Sequence, residues 1–319
     1  MWWAQQVLPK AFSCHGTTIN DLAKQCFQHL YPILFMLATN AQLNNIDFRF
    51  ISTTYSSDGK LLGRCKLVEA SLLETLKETR KRLYQSMIKH SDVATLSSSI
   101  SSAPYVVQLY LVDHNHIYIS VFKTSLSEHF GWRQPLPVSG GIIPIEMDKE
   151  PPSRAYIKLN ELMGLLGRRP APGSKIAELG SAPGGWTASL LKLYKPQDNI
   201  QIQSVDRSPL ESWLTKAYRP PTLTHHIANG LTWEPEEPVD WLFNDMALPP
   251  MKSVKVLERW IKERQCSQFA WTLKFVGESE YDAVTDAVET MMKCYNVSYT
   301  IRHLANHGNE LVVVGVVHP

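Results

Sequence analysis

The stretch that most constrains this chain is KIAELGSAPGGWTASLLKLY, Lys175 to Tyr194. An apolar, strand-like run passes directly into a glycine- and proline-rich turn, and the turn passes directly into an apolar, helix-like run led by Trp186. Glycine at 180, 184 and 185 lets the chain turn sharply and lets a ligand lie against bare backbone. A helix starting near Gly185 would offer its unpaired N–H groups to the electronegative atoms of a nucleotide-like ligand. The next strand-like run ends in SVDRS, where Asp206 can reach both hydroxyls of a ribose. The turn lacks the G-K-[ST] ending of a phosphate-binding loop and departs from G-x-G-x-x-G, so ATP, GTP and NAD are disfavoured. A tight turn with no ligand is the alternative reading of the same glycines.

The alternation continues to the C-terminus. KIAELG, IQIQSVD, LTHHIA, DWLFNDM, FAWTLKF, SYTIRHL and ELVVVGVV read as strands, rich in β-branched and aromatic residues. GWTASLLKLY, SPLESWLTKAY, MKSVKVLERWIKER and SEYDAVTDAVETMMKCY read as helices between most of them. Such alternation implies βαβ units and a doubly wound sheet covered on both faces. Only ANHG separates the last two strands, too little for a parallel crossover, so they are expected to form an antiparallel hairpin. The fold class is therefore α/β, with a seven-stranded Rossmann-like sheet.

Ahead of this block, a connector rich in proline and glycine and an amphipathic helix from about Ser153 place a domain boundary near Met147 to Pro152. Two domains, 1–147 and 148–319, suit a chain of 319 residues, because single cores stop growing near about 250. The first part reads as a smaller α/β module with two helices, TINDLAKQCFQHL and SLLETLKETRKRLYQSMIKH, a serine-rich loop TLSSSISSAP, and a hairpin YVVQLYLVDHNHIYISVF.

Composition excludes several classes. With 44% hydrophobic and 19% charged residues the chain has ample material for a core. A net charge of +2 means that any nucleic-acid surface must be a local patch. Cys14, Cys26, Cys65, Cys266 and Cys294 contain no C-x-x-C pair, which indicates neither a zinc ribbon nor a disulfide framework, but reduced and mostly buried thiols. His114, His116, His225, His226 and His303 lack metal-ligand spacing, and no metal is expected. The run LYPILFMLA is too short to span a bilayer and contains Pro32, so the expectation is a cytoplasmic protein with no membrane partner.

At ELGSAPGGWT the sequence resembles the S-adenosylmethionine loop of the FtsJ-like ribose 2′-O-methyltransferases, and within them the RlmM type, which acts on a cytidine ribose of bacterial large-subunit ribosomal RNA. PPSRAYIKLNEL, SVDRSPL, PVDWLFNDM, WTLKF and HGNEL fall in that family's order, from about Glu150 to the C-terminus. The resemblance implies S-adenosylmethionine as cofactor, held by Gly180, Ser181, Pro183, Gly184, Gly185, Trp186, Asp206, Asn229 and Asp245. It further implies a catalytic tetrad of Lys158, Asp245, Lys274 and Glu310.

In that scheme Lys274 takes the proton of the 2′-hydroxyl, which demands its free amine, while Asp245 orients Lys274 and faces the methionyl end. Glu310 holds Lys158 or the ribose in register. Each residue has a plainer reading: Lys158 as a solvated helix-face residue, Glu310 as an edge-strand charge, Trp186 as helix packing. Lys274 is the hardest to explain plainly, since it interrupts the apolar FAWTLKF.

Competing chemistries fit less well. NDMALPP separates Asn244 and Asp245 from Pro249 and Pro250, so the Asn/Asp-Pro-Pro-aromatic clamp of base amino-methyltransferases is missing. Cys266 and Cys294 follow helical segments rather than loops above the sheet, which disfavours carbon-5 methylation through a thiol. A non-catalytic RNA-binding scaffold and methylation of another RNA such as tRNA remain as alternatives.

The resemblance also implies a THUMP-like RNA-binding region in the first 147 residues, divergent here, and a structured RNA as partner; the oligomeric state is open, with a monomer favoured. Lys77, Arg80, Lys81, Arg82 and Lys89 interleave with Tyr84 on one expected helix, a phosphate-contact surface or an ordinary solvated face. Arg168 and Arg169 could contact phosphates or be surface charge.

Overall fold

The computed structural model describes residues 8, 10–40, 46–54, 59–90, 105–123, 145–166, 169–276, 280–306 and 308–319. The elements form two compact units, one within residues 5–127 and one from residue 145 onward.

In the first unit a five-stranded sheet has the order β1-β5-β4-β2-β3, with β1 Phe12–His15, β2 Ile46–Thr54, β3 Met87–His90, β4 Tyr105–Asp113 and β5 His116–Lys123. β4 and β5 form the expected antiparallel hairpin, whereas β2 runs parallel to both β3 and β4. Helices α1 Ile19–Asn40 and α2 Gly59–Thr79 bury one apolar stripe each, with Leu22, Cys26, Leu30 and Leu34 of α1 and Leu61, Cys65, Val68, Leu72 and Leu76 of α2 in one core with Val107, Leu109, Ile117 and Ile119 of the sheet. α1 starts on a capping box: the Asp21 amide donates to Thr18 Oγ1 (3.1 Å) and the Thr18 amide donates to Asp21 Oδ2 (3.1 Å).

Three sequence expectations fail in this unit. The first helix does not stop at Leu30 but continues through an exposed Pro32 to Asn40. The second starts earlier, at Gly59, and the single helix expected from Ser71 to His90 is broken: α2 ends at Thr79, α3 spans Lys81–Ser86, and Met87–His90 becomes a strand. Parallel pairing of β3 with β2 overrides the local helical pattern. The serine-rich loop lies outside the described residues.

The second unit carries the seven-stranded sheet, with β6 Lys175–Leu179, β7 Gln201–Asp206, β8 Leu223–Ile227, β9 Val239–Asn244, β10 Cys266–Lys274, β11 Val297–Arg302 and β12 Glu310–Val317. The order is β11-β12-β10-β9-β6-β7-β8. Strands β6 to β10 are parallel, and β12 is antiparallel to both β10 and β11, between which it is inserted.

Helices cover both faces. Alternate residues of β12 sort the two cores: Leu311 and Val313 join Leu257 and Trp260 of α7 (Pro250–Lys262) and Val284 and Val288 of α8 (Tyr281–Cys294). Val312 and Val314 join Leu159 and Leu162 of α4 (Tyr156–Leu166), Leu190 of α5 (Gly185–Lys192) and Leu214 of α6 (Ser212–Ala217). Helix α4 begins at Tyr156, three residues after the expected Ser153. Among the described residues no helix is long and apolar enough to cross a membrane.

Candidate active site

Open parallel sheets bind ligands in the crevice beyond the carboxyl ends of their strands, where the order reverses. Here β6 is flanked by β7 on one side and β9 on the other, and the three strand ends feed the same crevice.

The loop after β6 is shaped by backbone demands. Gly180 sits at φ +76°, and a Cβ built there would lie 2.7 Å from the Met246 nitrogen and 2.8 Å from its Cα. No other residue fits without moving the β9 loop. Gly184 sits at φ +115° and serves as the N-cap of α5, where a Cβ would run into Leu214. Gly180 donates its amide to the carbonyl of Val205 (2.9 Å), tying the turn to β7.

Asp206, the last residue of β7, accepts the Ala182 amide at Oδ2 (3.1 Å) and the Ser208 amide at Oδ1 (2.9 Å). It therefore braces the glycine loop as well as facing the crevice; each carboxylate oxygen keeps a further lone pair for a ligand hydroxyl.

Behind the loop lies Glu178, 2% exposed, accepting a hydrogen bond from the Thr187 hydroxyl (2.6 Å) in the first turn of α5. Burial pushes its carboxyl up to about 8, helped by the nearby carboxylates of Asp245 and Asp206 and opposed by the Thr187 hydrogen bond. Ser181 is buried and its hydroxyl has no hydrogen-bond partner among the described residues. Trp186 is buried and donates its indole N–H to the Ala155 carbonyl (2.8 Å), so it packs α5 and does not line the cavity.

A cavity of about 580 Å³ opens on this loop. Gly180, Ala182, Asp206, Asn229, Asp245 and Lys274 are in its wall, together with Met246 and Lys252. Ser181, Pro183, Gly184 and Gly185 are not; they support the wall from behind. Asn229 accepts the Leu231 amide (3.3 Å), and Arg259 on α7 donates to the carbonyls of Leu231 (2.9 Å) and Trp233 (3.2 Å), which fixes the loop after β8.

At one end of the cavity four charged side chains from separate elements meet. Asp245 follows β9; Lys274 ends β10; Glu310 opens β12; Lys158 is in the first turn of α4. Lys274 and Glu310 are cross-strand partners. Lys158 Nζ donates to Glu310 Oε2 (2.6 Å) and lies 3.7 Å from Asp245 Oδ1. Lys274 Nζ lies 3.0 Å from Asp245 Oδ1, an ion pair without hydrogen-bond alignment, and its aligned donation goes to the Asp245 carbonyl (2.7 Å). The four side chains are 15–24% exposed. Two cations and two carboxylates cancel in charge, which lets the cluster sit in a mostly dry place.

Sequence reasoning overlooked Glu178, although an acidic residue inside the apolar KIAEL carried the same signal that drew attention to Lys274. It also overlooked Arg259 and Glu161; the latter, 1% exposed on α4, accepts the amides of Ala305 (2.6 Å) and Asn306 (3.0 Å) and the side-chain amide of Asn306 (2.8 Å).

The basic surface expected in the first unit does not survive as drawn. Lys77 pairs with Glu74 (3.1 Å), the Arg80 guanidinium lies over the Tyr31 ring (4.5 Å), and Lys89 belongs to β3 rather than to the helix of Lys81 and Arg82. Arg169 lies over Tyr194 (5.7 Å), and Arg168 is outside the described residues. Of the five cysteines four are buried, and Cys294, the last residue of α8, is exposed. The histidines form no metal-ligand group among the described residues.

Comparison with known proteins adds the following. Residues 151–304 match the model of the FtsJ-like methyltransferase family. Among curated relatives, the ribosomal RNA large subunit methyltransferase M of Laribacter hongkongensis is 27% identical over 248 residues, covering 75% of this chain and 65% of that protein. The protein of the same name from Cellvibrio japonicus is 33% identical over 147 residues, covering 44% and 40%. The chain thus spans between two fifths and two thirds of these relatives' length. Among solved structures, Aeropyrum pernix fibrillarin with bound S-adenosyl-L-methionine aligns at TM-score 0.38 and 14% identity, covering 70% of this chain and 86% of that one. Human N-acetylserotonin methyltransferase in complex with the same molecule aligns at 0.33 and 11%, covering 52% and 55%.

Proposed function

Taking residues 151–304 as the FtsJ-like methyltransferase region that they match, we propose that this protein transfers the methyl group of S-adenosylmethionine to a ribose 2′-hydroxyl of RNA, with ribosomal RNA as the substrate. The observation that carries this reading is the meeting of Lys158, Asp245, Lys274 and Glu310 within ion-pair distance at the end of the cavity bounded by the glycine loop.

The cavity suits the cofactor on its own terms. Its volume lies within the roughly 300–1,000 Å³ range of small-molecule sites. Gly180 leaves backbone bare, and Asp206 and Asn229 offer acceptors in the cavity wall. Asp206 would hold the ribose of the cofactor, and the loop amides with Asp245 its methionyl end. Bound there, the sulfonium supplies an electrophilic methyl group.

The chain's own residues supply alignment and proton removal. Lys274 takes the proton of the attacking 2′-hydroxyl, a role that requires its ammonium to release its own proton to solvent before the transfer. Asp245 fixes Lys274 through both its carboxylate and its carbonyl, so Nζ has little freedom to leave the crevice. Glu310 holds Lys158 in place, and Lys158 presents a positive charge toward the oxygen that loses its proton. The N-terminal part of the chain, residues 1–147, holds the RNA as a divergent THUMP-like region, with Lys81 and Arg82 among its exposed cations.

The test is transfer of a labelled methyl group from S-adenosylmethionine to unmodified ribosomal RNA and to total small RNA, followed by digestion to nucleosides. A 2′-O-methylnucleoside made by the wild type, and lost in Lys274→Ala and Lys274→Arg while cofactor binding persists, is the expected result; guanidinium cannot act as base. Full transfer by Lys274→Arg would remove the general base from the scheme. Label on a base instead of a ribose would replace the acceptor, and cofactor binding without transfer to any RNA would favour the scaffold reading.

A further inference from the structure

Lys158 and Glu161 are one helical turn apart on α4; Glu161 reaches the segment between β11 and β12, and Lys158 the first residue of β12 that follows it. Lys158 takes Glu310 at the segment's end, while Glu161 takes Ala305 and Asn306 at its start, through three hydrogen bonds of 2.6–3.0 Å. The segment's other flank is fixed to the end of β10: the Phe275 amide donates to the Asn309 carbonyl (2.9 Å), and Asn309 Nδ2 donates to the Phe275 carbonyl (3.2 Å). Phe275 is the residue after Lys274.

A carboxylate 1% exposed is costly to bury unless donors surround it. Glu161 meets that cost with three N–H donors, all from residues 305 and 306, and carries no ion pair among the described residues. We infer that Glu161 is a positioning residue for methyl transfer: it clamps residues 305–306 to α4 and thereby sets where Glu310, and through it Lys158, stands beside Asp245. The inference rests on the proposed 2′-O-methyl transfer. Glutamine at 161 keeps one acceptor oxygen but sets its NH2 donor against the amide of either Ala305 or Asn306, loosening the segment while leaving the cofactor cavity untouched, since neither Glu161 nor the described residues of 303–309 line it.

The experiment compares the full-length wild type with Glu161→Gln, Glu310→Gln, their double variant and Asn306→Ala in methyl transfer to ribosomal RNA, with S-adenosylmethionine affinity measured on each. Glu161→Gln is expected to lower kcat by about ten- to a hundredfold, the scale of a misplacement near 1 Å, with KM and cofactor Kd within about twofold of wild type. The double variant is expected to match Glu310→Gln alone within about twofold, because both changes act through the same side chain. Asn306→Ala, at an exposed position, removes one of the three hydrogen bonds without endangering the fold and should lower kcat several-fold. Multiplicative losses in the double variant, unchanged kcat in Glu161→Gln, or a loss of cofactor binding in step with transfer would each overturn the positioning role. A wild type that labels no RNA would overturn the proposed function and this inference together, an outcome visible before any variant is made.

Discussion

Glu178 gives the sharpest physical prediction, because its carboxyl is fully buried and held at about 8 against an ordinary 4.5. In the unfolded chain the group has given up its proton above about pH 4.5, whereas the folded protein keeps it until about pH 8. Folding therefore takes up a proton in this window, and stability is lost as pH rises from 4.5 to 8, by about 1.4 kcal/mol per pH unit, then levels off. Over the 3.5 units between the two values the total is at most about 5 kcal/mol, an upper bound since water entry and relaxation would soften it. Glu178→Gln keeps an acceptor for the Thr187 hydroxyl and cannot ionise. The variant should match the wild type near pH 5 and exceed it by several kcal/mol at pH 9. Urea unfolding followed by tryptophan fluorescence reads the second unit, because residues 5–127 contain no tryptophan while Trp241, Trp260 and Trp271 are buried there. Titrating groups remote from Glu178 cancel in the difference between the two proteins; Asp245 and Asp206, which are coupled to it, do not. A difference that stays constant within about 1 kcal/mol from pH 5 to 9 would refute the assignment of a buried, protonated carboxyl to this position.

Two further substitutions test the loop and the core independently. Gly180→Ala sets a Cβ against the Met246 backbone at a positive φ and should cost about 1–3 kcal/mol, with a larger proportional loss of S-adenosylmethionine affinity by titration calorimetry; unchanged affinity would separate the loop from the cofactor. Ser253→Ala leaves the buried indole N–H of Trp271 without the hydroxyl that accepts it at 2.8 Å, and should lower stability by about 1–3 kcal/mol in denaturant without altering cofactor affinity.

The second unit was legible in the sequence because parallel strands buried on both faces read as short apolar runs that little else mimics. The insertion of β12 between β10 and β11 was not, since a hairpin fixes which strands pair with each other and not which edge of the sheet receives them. In the first unit, β1 buries only Cys14 of its four residues, and Met87–His90 continues a helical pattern until β2 pairs with it; neither carries a local signal strong enough to decide.

The site divides along the same line. Lys274 and Glu178 are visible as charges inside apolar strands, where burial without a partner would be costly. Glu161 is invisible by that rule, because a glutamate on an amphipathic helix is normally solvated and its partners are amides 144 and 145 residues further along the chain. Lys158 would be equally anonymous without the PPSRAYIKLNEL context, as its counter-charge Glu310 is 152 residues away. The four charges come from one helix and the ends of three strands, each in a different βα unit or hairpin, so no single window of sequence contains two of them. Their spacing in space is set by the sheet register that pairs Lys274 with Glu310 and by the docking of α4, and a change in either would scatter the cluster with every one of its residues still present.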